Sequence, residues 1–181
     1  MTTKTSLVML FGLFGAACSS AIAEPPRATP AAEAVCRGGE VASDAALRKF
    51  ADCTRVDGDL VLNGVSDLEP LAHVHAINGT LSIGHTSALY SLSGLERLCS
   101  VDALRLTYNA RLIDASALDG VKSVQRIEIA HNPRLCARFG LLTSLQTPAA
   151  KADLRFNAGL SSADVQSLAA RWTHLSAVAS R

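Results

Sequence analysis

The sequence predicts a mainly β protein with short helices: a right-handed leucine-rich β-solenoid of about five coils, with helical caps at both ends. Hydrophobic residues make up 49% of the 181-residue chain and aromatic residues only 4%. This composition favours thin, regularly stacked aliphatic layers over a bulky interior. A motif also recurs at separations of 21, 23, 23 and 25 residues, which is typical of leucine-rich repeats. Segments with helical spacing precede and follow these repeats.

An export signal is predicted over residues 1–23. Lys4 is followed by an apolar run over 7–17, and residues 21–23 (AIA) form a small-x-small cleavage site. The run is too short for a membrane-spanning helix. An alternative stays open at Cys18, which follows small residues as the lipidated cysteine of a bacterial lipoprotein does. We therefore expect a secreted or periplasmic protein, or one anchored to the membrane by a lipid.

Residues 24–35 (EPPRATPAAEAV) contain three prolines and predict an extended linker, so that the folded domain spans 36–181. The full chain has 17 basic and 16 acidic residues. Loss of the leader removes Lys4 and no acid, and leaves both counts equal. We therefore expect no nucleic-acid partner, and a membrane partner only through lipidation.

The segment 43–50 predicts a short helix that covers the first coil. Ser43 is a suitable N-cap, and Ala46, Leu47 and Phe50 recur at helical spacing. An uncovered end coil would expose its core and an unpaired strand edge.

Five repeats follow, each with an apolar residue that anchors a strand. In the first four, another apolar residue stands two positions earlier, the alternation of a strand buried on one face. The five anchors are Leu62, Ile83, Leu106, Ile129 and Leu154. The last three repeats carry an asparagine three residues after the anchor, where its amide can bond the backbone as the chain turns. These are Asn109, Asn132 and Asn157.

The segments between strands predict short helical or 3₁₀ return segments, because apolar residues recur three apart, as in Leu92, Leu95 and Leu98. Asp57-Gly58 and Asn78-Gly79 are interpreted as turn residues at the start of the first two strands, which read V-D-G-D-L-V-L and I-N-G-T-L-S-I. After the last repeat, helical spacing returns and predicts a capping helix over 161–177, with Trp172 buried against the last coil.

Four cysteines follow the leader: Cys36, Cys53, Cys99 and Cys136. An even number in an exported protein favours disulfides over metal ligation. Four cysteines allow three pairings, and we prefer Cys36 with Cys53 because they flank one short segment at the start of the repeats. Cys99 with Cys136 is the pair that then remains.

The pattern [VI]-x-G-x-L-x-[LI] occurs at Val56–Leu62 and Ile77–Ile83, with Cys53 just ahead of it. It resembles the receptor L domain, the leucine-rich β-helix module of insulin and epidermal growth factor receptor ectodomains, and small secreted bacterial proteins carry similar repeats. The resemblance covers roughly Cys36 to Leu160. It implies a binding module of unspecified ligand. Receptor signalling is not expected, and no receptor binding motif matches here that would transfer a ligand-binding residue.

The sequence contains no nucleophile elbow, HExxH, Walker or dinucleotide-binding motif. We therefore expect a protein that is not an enzyme and that has no cofactor and no metal. His73 and His75 come nearest to a metal pair, but they have no obvious third ligand and are interpreted as solvated loop residues.

The candidate binding residues lie on the outward side of the strands and in a column of rings two positions after the anchors. This column reads Gly64, His85, Tyr108, His131 and Phe156. Strands about 4.8 Å apart would stack these rings, either to stabilise the register or to recognise a glycan or peptide. Arg105 and Glu128 are expected to pair across neighbouring strands. The candidates are His85, Arg105, Tyr108, Glu128, His131 and Arg155.

The resulting hypothesis is a non-enzymatic, extracytoplasmic binding or scaffold module. It would recognise a protein or an envelope glycan through its strand face. The alternative is a structural envelope lipoprotein that is anchored through Cys18.

Overall fold

The computed structural model describes residues 33–136, 142–146, 151–169 and 175–178. The predicted leader over 1–23, most of the predicted linker, Cys18 and Trp172 lie outside these residues.

The described residues are mainly β and build one seven-stranded sheet, in which neighbouring strands are parallel and follow chain order. The strands are β1 (Val35–Val41), β2 (Arg55–Asn63), β3 (Ala76–Gly84), β4 (Ser100–Thr107), β5 (Ser123–Ala130), β6 (Lys151–Arg155) and β7 (Leu175–Val178). Helices are few and short: α1 (Asp44–Leu47), α2 (Ser162–Ala169) and 3₁₀ segments at Arg48–Phe50, Glu69–Leu71 and Ser116–Gly120. The sheet is open, with β1 and β7 as its outer strands.

The predicted solenoid with helical caps is therefore wrong, although the mainly β class is confirmed. The sheet begins with β1, which comes before the four-residue helix α1 in the chain. The outer edge of the sheet is therefore a strand, where a helical cap was expected. At the other end β7 pairs with β6 at residues 175–178, where the predicted helix over 161–177 would still run. In both places the chain adds an edge strand, which pairs with the sheet on its inner side.

The five predicted anchors lie side by side in the sheet and are buried. Each anchor pairs in register with the next, so that the five buried side chains form one column in the hydrophobic core. Val41 of β1 joins this column by pairing with Leu62. Leu92, Leu95 and Leu98 are also fully buried, which confirms the inward stripe of that return segment. Burial of each such side chain contributes about 1.5–3 kcal/mol.

Gly58 and Gly79 lie within β2 and β3, as the two strand patterns predict, but the chain continues as a strand there and does not turn. Gly58 has φ 95° and Gly79 has φ 154°. A Cβ on Gly79 would lie 2.6 Å from the carbonyl carbon of Gly58. The register between β3 and β4 shifts between Ile77 and Thr80. Glycine therefore permits an extra residue in these strands, a bulge with close backbone contact.

The preferred disulfide is confirmed. Cys36 of β1 bonds to Cys53, with their Cα atoms 5.8 Å apart, and thereby ties the first strand to the segment ahead of β2. The second pairing is wrong, because Cys99 and Cys136 are free thiols. Cys99 lies just before β4, at the amino ends of the strands. Cys136 lies beyond the carboxyl ends, where its N–H donates to the Ile113 carbonyl.

Candidate functional site

Four rings stack along the carboxyl ends of the strands, and we call them the ring ladder: His85, Tyr108, His131 and Phe156. Successive ring centroids are 5.0, 4.4 and 4.5 Å apart, and the planes differ by 10°, 5° and 16°. The spacing follows from the separation of neighbouring strands, since equivalent residues of consecutive repeats are about 4.8 Å apart. The expected column therefore forms as a continuous stack.

Every residue of the ring ladder has a left-handed backbone. The φ angles are 53°, 58°, 58° and 57° from His85 to Phe156, and Gly64 precedes them in the column with φ 68°. This conformation costs a non-glycine residue about 1–2 kcal/mol. Backbone hydrogen bonds hold the turn, as Tyr108 N–H donates to the Ala130 carbonyl at 3.2 Å and His131 N–H to the Arg155 carbonyl at 3.1 Å. The ladder is thus a side-chain stack on a repeated backbone turn.

The predicted asparagines lie directly behind the ring ladder and are buried. The Asn132 amide donates to the Leu106 carbonyl at 2.9 Å, and its Oδ1 accepts the Asn109 N–H at 3.1 Å. Asn109 and Asn157 donate in the same way to the carbonyls of Ile83 and Ile129. The amide oxygens thereby satisfy the N–H groups of Asn109 and Asn132 at the turn, and the amide nitrogens add a side-chain donor to carbonyls at the strand ends. The prediction that these amides bond the backbone is confirmed.

Stacking limits what the ring ladder can offer to a ligand. Tyr108 has a ring against each of its faces, yet 51% of the residue is exposed. Phe156 is 47% exposed. A ligand therefore meets the edges of the inner rings and the Tyr108 hydroxyl, while the ring faces are covered. Hydrogen bonds to these polar edges are available.

The outward strand face beside the ladder carries ion pairs. Arg105 Nε lies 2.8 Å from Glu128 Oε2 on the neighbouring strand, as expected. Arg155 pairs with Asp153 of its own strand at 2.6 Å. A shallow groove, which we call the face groove, runs over β4 to β6. It is lined by Arg105, Arg126, Ile127, Glu128, Lys151, Asp153 and Arg155. The candidate residues Arg105, Glu128 and Arg155 thus share one groove, and His85, Tyr108 and His131 share the ladder.

Arg126 and Lys151 were not among the predicted site residues. They lie opposite each other in the β5–β6 register, and both are exposed. Only strand pairing brings them together, because they are 25 positions apart in the sequence. Their equal offset from the anchors, three residues before Ile129 and Leu154, is the signal that would have found them.

The remaining ionisable groups give little chemistry. Within the described ranges, no three His, Cys, Asp or Glu side chains are grouped to hold a metal ion. His75 lies 3.9 Å from Glu33, and His73 is exposed. Asp44 accepts hydrogen bonds from the Ser66 hydroxyl and the Ser66 N–H, and these bonds hold the pKa of Asp44 below its ordinary value of 3.8.

The family model for the receptor L domain matches residues 52–146, just over half of the chain. The chain belongs to the receptor L domain family. The matched region begins one residue before Cys53 and contains strands β2 to β5. None of the curated proteins and none of the solved structures matches the chain. The match confirms the resemblance to the receptor L domain, over a shorter span than the expected Cys36 to Leu160.

Membership of this family has two consequences. A receptor L domain is an extracellular ligand-binding module without catalytic function. The Cys36–Cys53 disulfide agrees with an extracellular location, since such bonds persist in oxidising compartments. In the described part of this receptor L domain, no helix is long and apolar enough to cross a membrane.

Proposed function

We propose that this receptor L domain is an exported, non-enzymatic module that recognises a protein or an envelope glycan through its outward strand face. The observation that carries the proposal is the ring ladder, with polar edges exposed beside the charged face groove. Two kinds of contact, ring edges and ion-paired side chains, thereby border one another on a single surface.

The rigidity of this surface supports a binding role. The face groove rests on parallel strands that share an anchor column, and buried asparagine amides fix the strand ends. Side chains held in place before a ligand arrives lose less conformational entropy on binding. A shallow polar face of this kind suits an extended ligand more than a small apolar molecule.

The polar groups support the choice of ligand classes. Arg105 and Arg155 supply planar guanidinium donors, Glu128 supplies acceptors, and the Tyr108 hydroxyl does both. Repetition of such groups at the strand spacing of about 4.8 Å suits the regularly spaced hydroxyl and carbonyl groups of a glycan or a peptide backbone. Recognition of this kind does not require the large exposed apolar area that is typical of an obligate protein interface.

A glycan and peptide array tests the proposal, with the chain expressed from Glu24. We expect at least one bound class, and at least tenfold weaker binding by the Arg105→Ala variant. Arg97→Ala is the matched control, because Arg97 is also exposed but does not line the face groove. An array without any ligand, or equal losses in both variants, would count against the proposal.

We also propose that residues 1–23 direct export and are removed, and that 24–35 link this signal to the domain. The competing N-terminus is a lipidated Cys18, which would make the protein an envelope lipoprotein. Mass spectrometry of the mature protein separates the two. A first residue of Glu24 supports soluble export, and a mass that begins at Cys18 with added acyl chains supports the anchor.

A further inference from the structure

We infer that Arg126 and Lys151 form an oxyanion subsite of the face groove, which receives a phosphate or sulfate group carried by the ligand. This inference rests on the proposed function, since it names the charged group of the ligand that the strand face recognises. It assigns a role to two residues that the sequence patterns did not single out.

The position of Arg126 and Lys151 in the sheet supports an anion subsite. Arg126 and Lys151 are direct partners in the parallel register of β5 and β6, and both side chains are exposed. Equivalent residues on neighbouring strands lie about 4.8 Å apart. Like charges opposite each other destabilise a sheet. A bound anion between them would turn this repulsion into attraction.

The charge balance of the face groove also supports an anion subsite. It is lined by four cations and two carboxylates. Both carboxylates already have partners: Glu128 pairs with Arg105 at 2.8 Å, and Asp153 pairs with Arg155 at 2.6 Å. Among the described residues, neither Arg126 nor Lys151 has an acidic group within ion-pair distance. The two cations that no carboxylate of the face groove neutralises are therefore Arg126 and Lys151, which are neighbours in the sheet.

Two further carboxylates line the depression next to the face groove. Asp59 and Asp102 share it with Arg126 and Lys151, but neither is paired with them. They therefore form the acidic border of the subsite. This border disfavours long polyanions that would extend towards β2, and it favours a ligand with a single compact anionic group.

The chemistry of the pair points to a tetrahedral oxyanion. The Arg126 guanidinium offers a planar fork that fits two oxygens of one group, and the Lys151 ammonium offers a compact charge for a third oxygen. Phosphate and sulfate have at least three acceptor oxygens, whereas a carboxylate has only two. The subsite should therefore favour phosphate or sulfate esters over uronic acids.

The test is an NMR titration of the chain expressed from Glu24 with inorganic phosphate, inorganic sulfate and chloride at constant ionic strength. We expect phosphate and sulfate to shift the Arg126 and Lys151 signals in a saturable way, and chloride to leave them unchanged. Arg126→Gln and Lys151→Gln should each weaken phosphate binding at least fivefold. Lys122→Gln should leave it unchanged, because Lys122 is an exposed cation outside the face groove.

Glucose 6-phosphate, glucose 6-sulfate, glucuronate and glucose then identify the carrier of the charge. Tighter binding of either ester than of glucuronate supports the inference, whichever ester is preferred. Equal effects of phosphate and chloride, or an equal loss in Lys122→Gln, would overturn it. If array ligands are bound equally well by the Arg126→Gln/Lys151→Gln variant, the inference fails and the proposed function stands. If no array ligand binds while phosphate still occupies the pair, the proposed function fails and the anion subsite stands.

Discussion

The rings of Tyr108 and His131 lie parallel, with centroids 4.4 Å apart and planes 5° apart, and both residues have φ 58°. One stacked pair contributes about 0.5–1.5 kcal/mol beyond area burial. The left-handed backbone of each residue costs about 1–2 kcal/mol. Three stacks accompany four left-handed residues, so stacking offsets part of the strain of the turns that carry it. This balance favours a stabilising role for the ring ladder and leaves its exposed edges for recognition.

Replacement of Tyr108 tests this balance. Tyr108→Ala should lower the free energy of unfolding by about 1–3 kcal/mol, because two stacked contacts are lost and the left-handed backbone remains. Tyr108→Gly should be about 0.5–1 kcal/mol more stable than the alanine variant, since glycine adopts this backbone without strain. Urea denaturation measures both.

The same two variants separate stability from recognition. Reduced stability together with unchanged ligand binding would remove Tyr108 from the binding surface. Unchanged stability of Tyr108→Ala would contradict the stabilising role of the ladder.

Asn132 should contribute more to stability than any exposed asparagine of the sheet. Asn132→Ala leaves the buried Asn109 N–H without its partner and removes the side-chain bond to the Leu106 carbonyl. The free energy of unfolding should fall by about 2–4 kcal/mol. The matched control is Asn63→Ala, which removes only an exposed bond to Glu40 and should change stability by less than about 0.5 kcal/mol. Similar losses in both variants would be evidence against the buried amide column.

The disulfide should stabilise the first strand. It closes a separation of 17 residues, and the double variant Cys36→Ser/Cys53→Ser should lose about 3 kcal/mol. Cys99→Ser/Cys136→Ser should be close to wild type, because both thiols are free. In the unreduced chain expressed from Glu24, alkylation followed by mass spectrometry should label two cysteines. Labelling of four cysteines, or of none, would contradict this arrangement.

Asp44 gives the domain a pH dependence at acid pH. Hydrogen bonds from Ser66 lower the pKa of Asp44 in the folded state, so its contribution is complete above the ordinary carboxyl pKa of 3.8 and is lost as pH falls below it. The stability difference between wild type and Asp44→Asn should therefore be constant from pH 7 to about 5 and shrink below pH 4. Chemical denaturation at several pH values checks this. A difference that does not change with pH would show that the hydrogen bonds do not depend on charge.

The Arg105–Glu128 pair should matter little for stability. The side chains are 54% and 31% exposed, and a double-mutant cycle should give a coupling energy below about 1 kcal/mol. A larger coupling energy would mean that the pair contributes substantially to the stability of the fold as well as to the binding surface.

The sequence period was sufficient to predict the columns but not the ends of the sheet. Anchors, asparagines and rings recur at fixed offsets, so their alignment followed directly from the repeat length. β1 was missed because Gly39 pairs with Leu60 and removes the apolar alternation from that strand. Only Val41, 21 residues before Leu62, keeps the period.

The C-terminal end was missed for a different reason. Residues 161–177 satisfy a helical spacing, and Leu175 also fits the alternation of a strand. Local pattern cannot choose between these two, whereas pairing with β6 decides for a strand. Arg126 and Lys151 were missed because their shared offset from the anchors is the only sequence signal that joins them, and their proximity depends on strand register.

The most direct test of the central claim is NMR mapping of an array ligand onto the isotope-labelled domain. We predict that shifts concentrate on Arg105, Glu128 and Arg155 of the face groove and on the edge of Tyr108. Shifts confined to the return segments Glu69–Leu71 and Ser116–Gly120 would contradict recognition through the strand face.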